Sequence, residues 1–420
     1  MKVYIKTFGC SSNIADSAAL SILLKRAGMD LTHEIGEADA VIVNTCTVRK
    51  ETELKVIKFI KSLSSDKVVV TGCMAEVQPA LISMQIPNAS VISLNNLLSI
   101  PTSLLKNGRS VFLTPSEKEI EPAPFKNGVK YTVAISKGCL GECSYCIVRL
   151  ARGMLRSLPP RRVEELVLNA VKSGAKEIRI SAQDTGAYGR DISTDLPALL
   201  EKIAEIDGNF KVRVGMFNPS SVQDILDRLL DSFESEKIYK FAHIPVQSGS
   251  NQILGEMNRR YTVESFKKSL KSFRSFFPNL TLFTDVIVGF PGESDEDFLE
   301  TVNLIKEIRP DKTHNARFSP RPHTRAASLA QVPENLKKSR SEYLSGIANG
   351  IQTEINRKWV GKVVEATILD RYYKGGMIAR MSNYKTVAIS GCDPSLLGQD
   401  VSLVIESCTP YYLKGAIIHH

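Results

Sequence analysis

A chain of 420 residues has room for two or three domains, each long enough to bury a core of its own. With 43% hydrophobic and 24% charged residues it has the composition of an ordinary soluble protein, and no apolar run is long enough to cross a bilayer. The opening Met1-Lys-Val-Tyr-Ile-Lys-Thr lacks the apolar core of a signal peptide, which argues against a membrane or secreted protein and predicts a cytoplasmic one. Eight cysteines in such a length do not make a disulfide framework, and a reducing compartment keeps them available as ligands. The net charge of +9 suits a polyanionic partner without requiring one.

The first ~125 residues alternate between short apolar runs and helix-like stretches. Strands are predicted at 3–5, 40–43, 67–70 and 91–92, with helices at 15–27 and 53–62, which together make an open parallel sheet with crossover helices. Cys10, Cys46 and Cys73 each lie just past one of these strand-like runs. Ligands of open parallel sheets gather at the carboxyl ends of strands, so three separate strand–helix junctions can converge on one point. A charged, Pro-containing stretch over 114–130 reads as a linker.

Next comes Gly138-Cys-Leu-Gly-Glu-Cys-Ser-Tyr-Cys146, a CxxxCxxC run. Three thiolates this close can hold an iron–sulfur cluster at three corners and leave one iron without a protein ligand. A structural zinc site needs four ligands, and no fourth Cys or His lies near this run to close one. Residues 149–162 then carry five arginines and no acid, and 312–333 is again free of Asp and Glu while holding Lys312, Arg317, Arg321 and Arg325. Such segments can hold the phosphates of a large substrate or simply form a solvated face.

A second series of strands is predicted at 131–135, 177–181, 211–216, 240–244, 281–288 and 315–319, with helices at 163–173, 196–206, 222–231, 263–276 and 295–307. Six strands alternating with helices predict a partial (β/α) barrel whose strand ends carry the site. From about residue 356 short strands at 362–369, 376–379, 386–389 and 401–405 predict a small all-β barrel. It carries Arg357, Lys358, Lys362, Arg371, Lys374, Arg380, Lys385 and Lys414 against five acids, interspersed with Tyr372, Tyr373, Tyr384, Tyr411 and Tyr412. Cations mixed with aromatics suit RNA, whose exposed bases stack on rings; core tyrosines are the alternative. Cys392 and Cys408 read as ordinary buried residues, and His419 and His420 are given no role. The domains are thus expected at 1–125, 126–355 and 356–420.

The order of these segments resembles the methylthiotransferases, a branch of the radical S-adenosylmethionine (SAM) enzymes, over essentially the whole chain. Cys10 stands in Gly-Cys-x-x-Asn, Cys46 in Asn-Thr-Cys and Cys73 in Gly-Cys-Met-Ala-Glu; downstream come His-Ile-Pro-Val-Gln-Ser-Gly-Ser at 243–250, Asp-Val-Ile-Val-Gly-Phe-Pro-Gly-Glu at 285–293 and Arg-Phe-Ser-Pro-Arg-Pro-His-Thr at 317–324. The resemblance implies an α/β protein: an N-terminal open-sheet domain, a central partial (β/α) radical SAM barrel and a C-terminal TRAM barrel that binds RNA. It implies two 4Fe–4S clusters. One on Cys139, Cys143 and Cys146 would chelate SAM and cleave it to a 5′-deoxyadenosyl radical; an auxiliary one on Cys10, Cys46 and Cys73 would carry the sulfur to be inserted. SAM then serves as both methyl donor and radical source. Tyr145, Gln183, Asp184, Arg213, Gln247 and the backbone at Gly289 would contact SAM, or else be structural polar groups at strand ends.

Family members modify either adenosine 37 of tRNA or an aspartate of a ribosomal protein. Cys10-Ser-Ser-Asn13 with Asp16, Ala151-Arg-Gly153 and Asp184-Thr-Gly-Ala-Tyr-Gly-Arg-Asp191 are similar to the archaeal and eukaryotic branch. That branch converts N6-threonylcarbamoyladenosine (t6A) at position 37 to its 2-methylthio derivative. The expected partners are the tRNA anticodon loop, an electron donor and a sulfur source, with no membrane. The rival readings are methylthiolation of a protein aspartate and a non-catalytic iron–sulfur protein that binds RNA.

Overall fold

The computed structural model describes residues 1–63, 67–114, 120–372, 375–391 and 393–418. Tyr373, Lys374, Cys392, His419 and His420 lie outside the described residues. The chain forms two compact units.

The first unit comprises Met1–Phe125, Thr132–Arg156 and Ser319–Ala327. Its sheet contains β1 (Lys2–Thr7), β2 (Asp30–Thr32), β3 (Ala40–Thr45), β4 (Val68–Gly72), β5 (Ser90–Ile92) and β6 (Val111–Phe112), all parallel, in the order β2-β1-β3-β4-β5-β6. Alternation along the strands feeds two cores. Ile42, Val69 and Ile92 pack with Leu20 and Leu24 of the helix Ser11–Arg26, while Val41, Val43, Val68 and Val70 pack with Val56 and Ile60 of the helix Lys50–Lys61. β3 is buried at every position, as a strand covered on both faces must be. Part of the expected linker belongs to this core, since Ile120 and Ala123 are each 7% exposed within it.

The second unit comprises Lys126–Tyr131, Ser157–Phe318 and Ser328–His420. Strands Glu177–Ser181 and Lys211–Arg213 pair in parallel, as do Phe241–His243, Thr281–Val288 and Lys312–Arg317. Helices Pro160–Lys172, Leu196–Glu205, Val263–Phe276 and Asp295–Ile308 lie close to their predicted bounds. The helix expected at 222–231 is two, Pro219–Val222 and Leu226–Ser232, because Ile225 between them leaves helical dihedrals (φ −117°, ψ 7°). A 24-residue helix, Glu334–Arg357, was not anticipated: its buried face includes Lys337, Arg340, Gln352 and Asn356 beside Leu344, Ala348 and Ile351.

Val363–Tyr372, Gly376–Met381, Thr386–Ile389, Leu413–Ile417 and Asp400–Cys408 close a five-stranded barrel around Ile368, Ala379, Val387, Leu403 and Leu413. Cys408 packs half-buried against that core. Three of the residues expected on an RNA surface are instead part of the packing of this unit. Tyr384 packs edge-on against Tyr239 and at a tilt against Phe241, Arg380 lies over the Tyr384 ring, and Lys385 donates to Asp311 at 2.6 Å and to Asn356 at 2.9 Å. Among the described residues no helix is long and apolar enough to cross a membrane.

Candidate functional site

β1, β3 and β4 are neighbours in the sheet, and each delivers a cysteine at its carboxyl end. Cys10 is the N-cap of the helix Ser11–Arg26, Cys46 directly follows β3, and Cys73 opens the short helix Cys73–Val77. The turns that carry them press together. A side chain on Gly9 would begin 2.8 Å from Cys46 Cβ, and one on Gly72 would collide with the backbone of Thr45. Gly72 also has φ +94°, so both its conformation and its closeness exclude any other residue. Asn13, fully buried, ties the junctions: its Nδ2 donates to Asn44 Oδ1 (3.0 Å) and to Thr45 O (2.8 Å), and the Cys10 thiol donates to its Oδ1 at 3.4 Å.

Cys46 and Cys73 are buried and Cys10 is exposed. Burial pushes the Cys73 thiol up to about 11 and raises Cys46 as well, each through loss of solvation. Buried thiols with this bias remain protonated until a cation replaces the proton, which is the donor chemistry of a metal or cluster site. Opposing this shift is Arg152, whose side chain is 4% exposed and which donates to Asp16 at 2.8 Å and to Asn13 Oδ1 at 3.3 Å. Burial works against the guanidinium charge, but the Asp16 carboxylate beside it holds Arg152 above its ordinary value.

Arg152 belongs to the helix Val148–Arg152 that follows the second triad. Cys139, Cys143 and Cys146 are half-buried on a loop closed by its own backbone: Cys139 N donates to Gly153 O at 3.2 Å and Cys146 N to Cys143 O at 3.0 Å. Gly138 (φ +71°) admits no side chain, since one would enter the carbonyl of Met154. Gly141 N donates to Cys139 Sγ at 3.2 Å, and the point where a Gly141 side chain would start lies 3.3 Å from Cys139 Sγ and 3.7 Å from Cys143 Sγ. Two thiols therefore face one small concavity with a backbone N–H aimed at sulfur, a cradle that fits a cluster. A cavity of about 460 Å³ opens beside Cys143 and Cys146.

In the second unit Gln183 and Asp184 follow the strand Glu177–Ser181. Both Asp184 oxygens are engaged: Oδ1 accepts from Gly186 N (3.1 Å) and Asn218 N (3.0 Å), and Oδ2 from Ser221 Oγ (2.6 Å). Its carboxyl is raised by burial against these bonds. Gln247 stands at φ +69° beside the strand Thr281–Val288, taking Ile287 N on its carbonyl at 2.9 Å, and at Gly289 the Lys337 stem fills the place of a side chain. Arg213 lies elsewhere. Its guanidinium sits 5.0 Å from the Phe241 ring and 5.9 Å from that of Tyr384. Tyr145 is half-buried in the first unit.

Several expected cations are consumed by acids. Arg321, 4% exposed, pairs with Glu53; Arg149 pairs with Glu142 at 2.6 Å and Arg317 with Glu334 at 2.9 Å. The motifs that open with His243 and Asp285 do not reveal that these two residues meet His314, on three neighbouring strands, where Asp285 Oδ1 lies 2.9 Å from His243 Nε2 and 2.8 Å from His314 Nδ1. Burial opposes the Asp285 charge, yet the two imidazoles hold its carboxyl well below the usual range. Each of these residues falls at a strand position, and only the register between strands brings them together.

Three family models match the chain: the Radical SAM superfamily over residues 133–305, the Uncharacterized protein family UPF0004 over 2–93 and the TRAM domain over 357–418. The fold is similar to that of TsrM, a radical S-adenosylmethionine methyltransferase from Kitasatospora setae solved with cobalamin and a 4Fe-4S cluster (TM-score 0.56, 14% identity, 78% of this chain and 77% of that one). The CxxxCxxC loop and this architecture define a radical SAM protein joined to a TRAM barrel. "Probable threonylcarbamoyladenosine tRNA methylthiotransferase" of Pyrococcus abyssi is 42% identical over 427 residues, covering 100% of both chains. The threonylcarbamoyladenosine tRNA methylthiotransferase of Mus musculus is 33% identical, with 99% of this chain and 74% of that one covered. The chain belongs to this methylthiotransferase family.

Proposed function

We propose that this chain replaces the C2 hydrogen of t6A at position 37 of tRNA by a methylthio group. The observation that carries the reading is the pairing of two cysteine triads within one compact unit, with Arg152 running from the loop of one to the acceptors of the other. When bound, SAM and a cluster on Cys139, Cys143 and Cys146 supply a radical able to take hydrogen from an unreactive carbon, and a second cluster on Cys10, Cys46 and Cys73 supplies sulfur. The chain's own residues hold and orient these groups. The engaged Asp184 fixes the turn at 185–187, so that Gln183 and the Gln247–Gly289 strand ends present backbone and amide groups where ligands of such sheets bind. Arg213, whose guanidinium lies over the Phe241 and Tyr384 rings, is left out of this set.

The small barrel grips RNA through a surface of exposed Arg371, Tyr411 and Lys414 with half-buried Tyr372 and Tyr412, whose rings lie 6.4 Å apart. Position 37 is in a loop, so its base is already accessible for unstacking. A tRNA substrate supports a cytoplasmic enzyme.

Nucleoside mass spectrometry of tRNA from a deletion strain tests the reading, together with parallel assays on t6A-bearing tRNA, isopentenyladenosine-bearing tRNA and ribosomal protein. Loss of 2-methylthio-t6A is expected; product on a ribosomal aspartate alone would overturn the substrate. Replacing Arg371, Tyr411 and Lys414 by Ala should weaken tRNA binding and flatten its salt dependence by roughly 0.7–0.9 in log–log slope per lost phosphate contact.

A further inference from the structure

We propose that His243, Asp285 and His314 bind one divalent transition-metal ion of the zinc class, in addition to whatever the cysteine triads hold. The inference stands on this unit alone and does not depend on which nucleoside is modified. The three residues come from three neighbouring strands, Phe241–His243, Thr281–Val288 and Lys312–Arg317, and Asp285 is paired with His314 in the parallel register. One ligand atom from each lies within 4.8 Å of the other two. Asp285 Oδ1 is 2.9 Å from His243 Nε2 and 2.8 Å from His314 Nδ1, so the two rings turn different nitrogens toward the same point. A tetrahedral zinc ion with bonds of about 2.0–2.1 Å keeps its donors roughly 3.3 Å apart, so the two contacts need to open by only about half an ångström to admit it.

Two imidazoles and one carboxylate suit zinc or ferrous iron better than magnesium or calcium, which prefer oxygen donors alone. Without the ion, each ring donates its N–H to the carboxylate. On binding, the proton of His243 moves to Nδ1 and that of His314 to Nε2; both rings stay neutral, their lone pairs turn to the metal, and nothing is oxidised or reduced. The rings are already held in place, since Phe283 packs edge-on against both, with centroids 6.1 Å from His243 and 5.8 Å from His314. An ion can also reach them. Burial alternates along Thr281–Val288, leaving Phe283, Asp285 and Ile287 on the more open face, and the side chains of Asp285 and His314 are 23% and 37% exposed. Three protein ligands leave a fourth position to water. A cation on the same face, Lys312, is drawn over the Phe283 ring, 5.5 Å from its centroid, and its charge limits the affinity that the Asp285 carboxylate provides. An ion here would tie together strands whose following turns carry Gln247 and Gly289.

The test uses the full-length chain, anaerobically reconstituted with its clusters, cleared of loosely held ions with a chelator, and then given zinc sulfate at no more than two equivalents. Elemental analysis after gel filtration should find one zinc per chain. X-ray absorption at the zinc edge should show a shell of nitrogen and oxygen only, at about 2.0–2.1 Å, whereas zinc captured by cysteines would show sulfur near about 2.3 Å. The thermal midpoint should rise by about 3 °C or more, because the ion binds the folded chain alone. In His314→Ala, and separately in Asp285→Asn, zinc affinity should fall about tenfold or more, and the zinc-dependent rise in midpoint should vanish. The half-exposed place of His314 makes its truncation mild, so that variant should keep its iron content and its zinc-free midpoint; if it does not fold, His314→Gln replaces it. Sulfur in the zinc shell, no zinc retained by the unaltered chain, or equal affinity in the unaltered and His314→Ala proteins would overturn the proposal and leave the three side chains as a hydrogen-bonded tie between strands.

Discussion

The two cysteine triads are assembled in opposite ways. Cys139, Cys143 and Cys146 sit within eight positions on one loop, half-buried, and their spacing is held by the loop's own hydrogen bonds and by Gly138. Cys10, Cys46 and Cys73 come from the ends of three neighbouring strands, and two of them are buried. The first is a local device that a chain can carry into many settings. The second exists only while β1, β3 and β4 keep their order and register, so its integrity reports on the whole sheet.

The sharpest break in this comparison removes one triad at a time. Replacing Cys139, Cys143 and Cys146 by Ala should leave reconstituted protein with one four-iron cluster in place of two and no reductive SAM cleavage. Replacing Cys10, Cys46 and Cys73 should also leave one cluster, with 5′-deoxyadenosine still formed and the methylthio product lost. Iron analysis and chromatography of the two products decide it. An iron count that does not change in the first variant, or lost SAM cleavage in a folded second variant, would show that the division of labour is wrong.

The same contrast explains what could be read from the sequence. A CxxxCxxC run announces itself by spacing, and strands such as β3 or Thr281–Val288 by continuous or alternating apolar residues. The scattered triad was legible only as cysteines placed after strand-like runs; their convergence depends on strand order, which no local pattern contains. The helix Glu334–Arg357 escaped because its inward face uses long charged side chains. Lys337 lays its stem under Gly289 and donates to Phe318 O at 3.2 Å, while Arg340 pairs with Glu293 at 2.7 Å, so burial there leaves no apolar period. Arg152 was visible as one of five arginines without an acid nearby, yet its partner, Asp16, lies far back in the chain. The tyrosines and cations of the small barrel were split by the fold: Tyr384 and Lys385 went inside and Tyr411 stayed out.

Glycine substitutions probe the next level. Gly72→Ala would force a side chain into the backbone of Thr45 at a left-handed position, and should destabilise the sheet unit by more than about 4 kcal/mol, seen as a large fall in thermal midpoint and loss of the auxiliary cluster. Gly138→Ala meets a still closer carbonyl but on a loop, so it should empty the second triad of iron while the cooperative unfolding of the chain stays near its normal temperature. Similar thermal losses in both would mean that the loop is not the local device described above.

Arg152→Met severs the link between the triads. It removes one partner of an ion pair whose side chains are 4% and 7% exposed and strands the Asp16 carboxylate, a change that costs about 3 to 5 kcal/mol. Pairing it with Asp16→Asn, so that no lone charge remains, should restore part of that loss. Chemical denaturation of the single and double variants measures the coupling, and additive losses would show that the two side chains do not act as a pair.

The smallest effect is expected at Gly141, beside two thiols of the local triad. The glycine is not in the left-handed region, and an added methyl would stand 3.3 Å from Cys139 Sγ and 3.7 Å from Cys143 Sγ, close but within reach of a slight shift of the loop. Gly141→Ala should therefore change stability by less than about 1 kcal/mol and keep the full iron content. What it alters is water. A methyl group over two thiolates excludes solvent that stabilises the more negative, reduced cluster, so the reduction potential of that cluster should move downward, as an EPR-monitored redox titration would record. The N–H of Gly141 still points at Cys139 Sγ, which isolates solvent access from hydrogen bonding. An upward shift would mean that the methyl group had displaced something other than water from the thiolates. No equivalent experiment exists at the buried triad, because burial has already removed the solvent from Cys46 and Cys73.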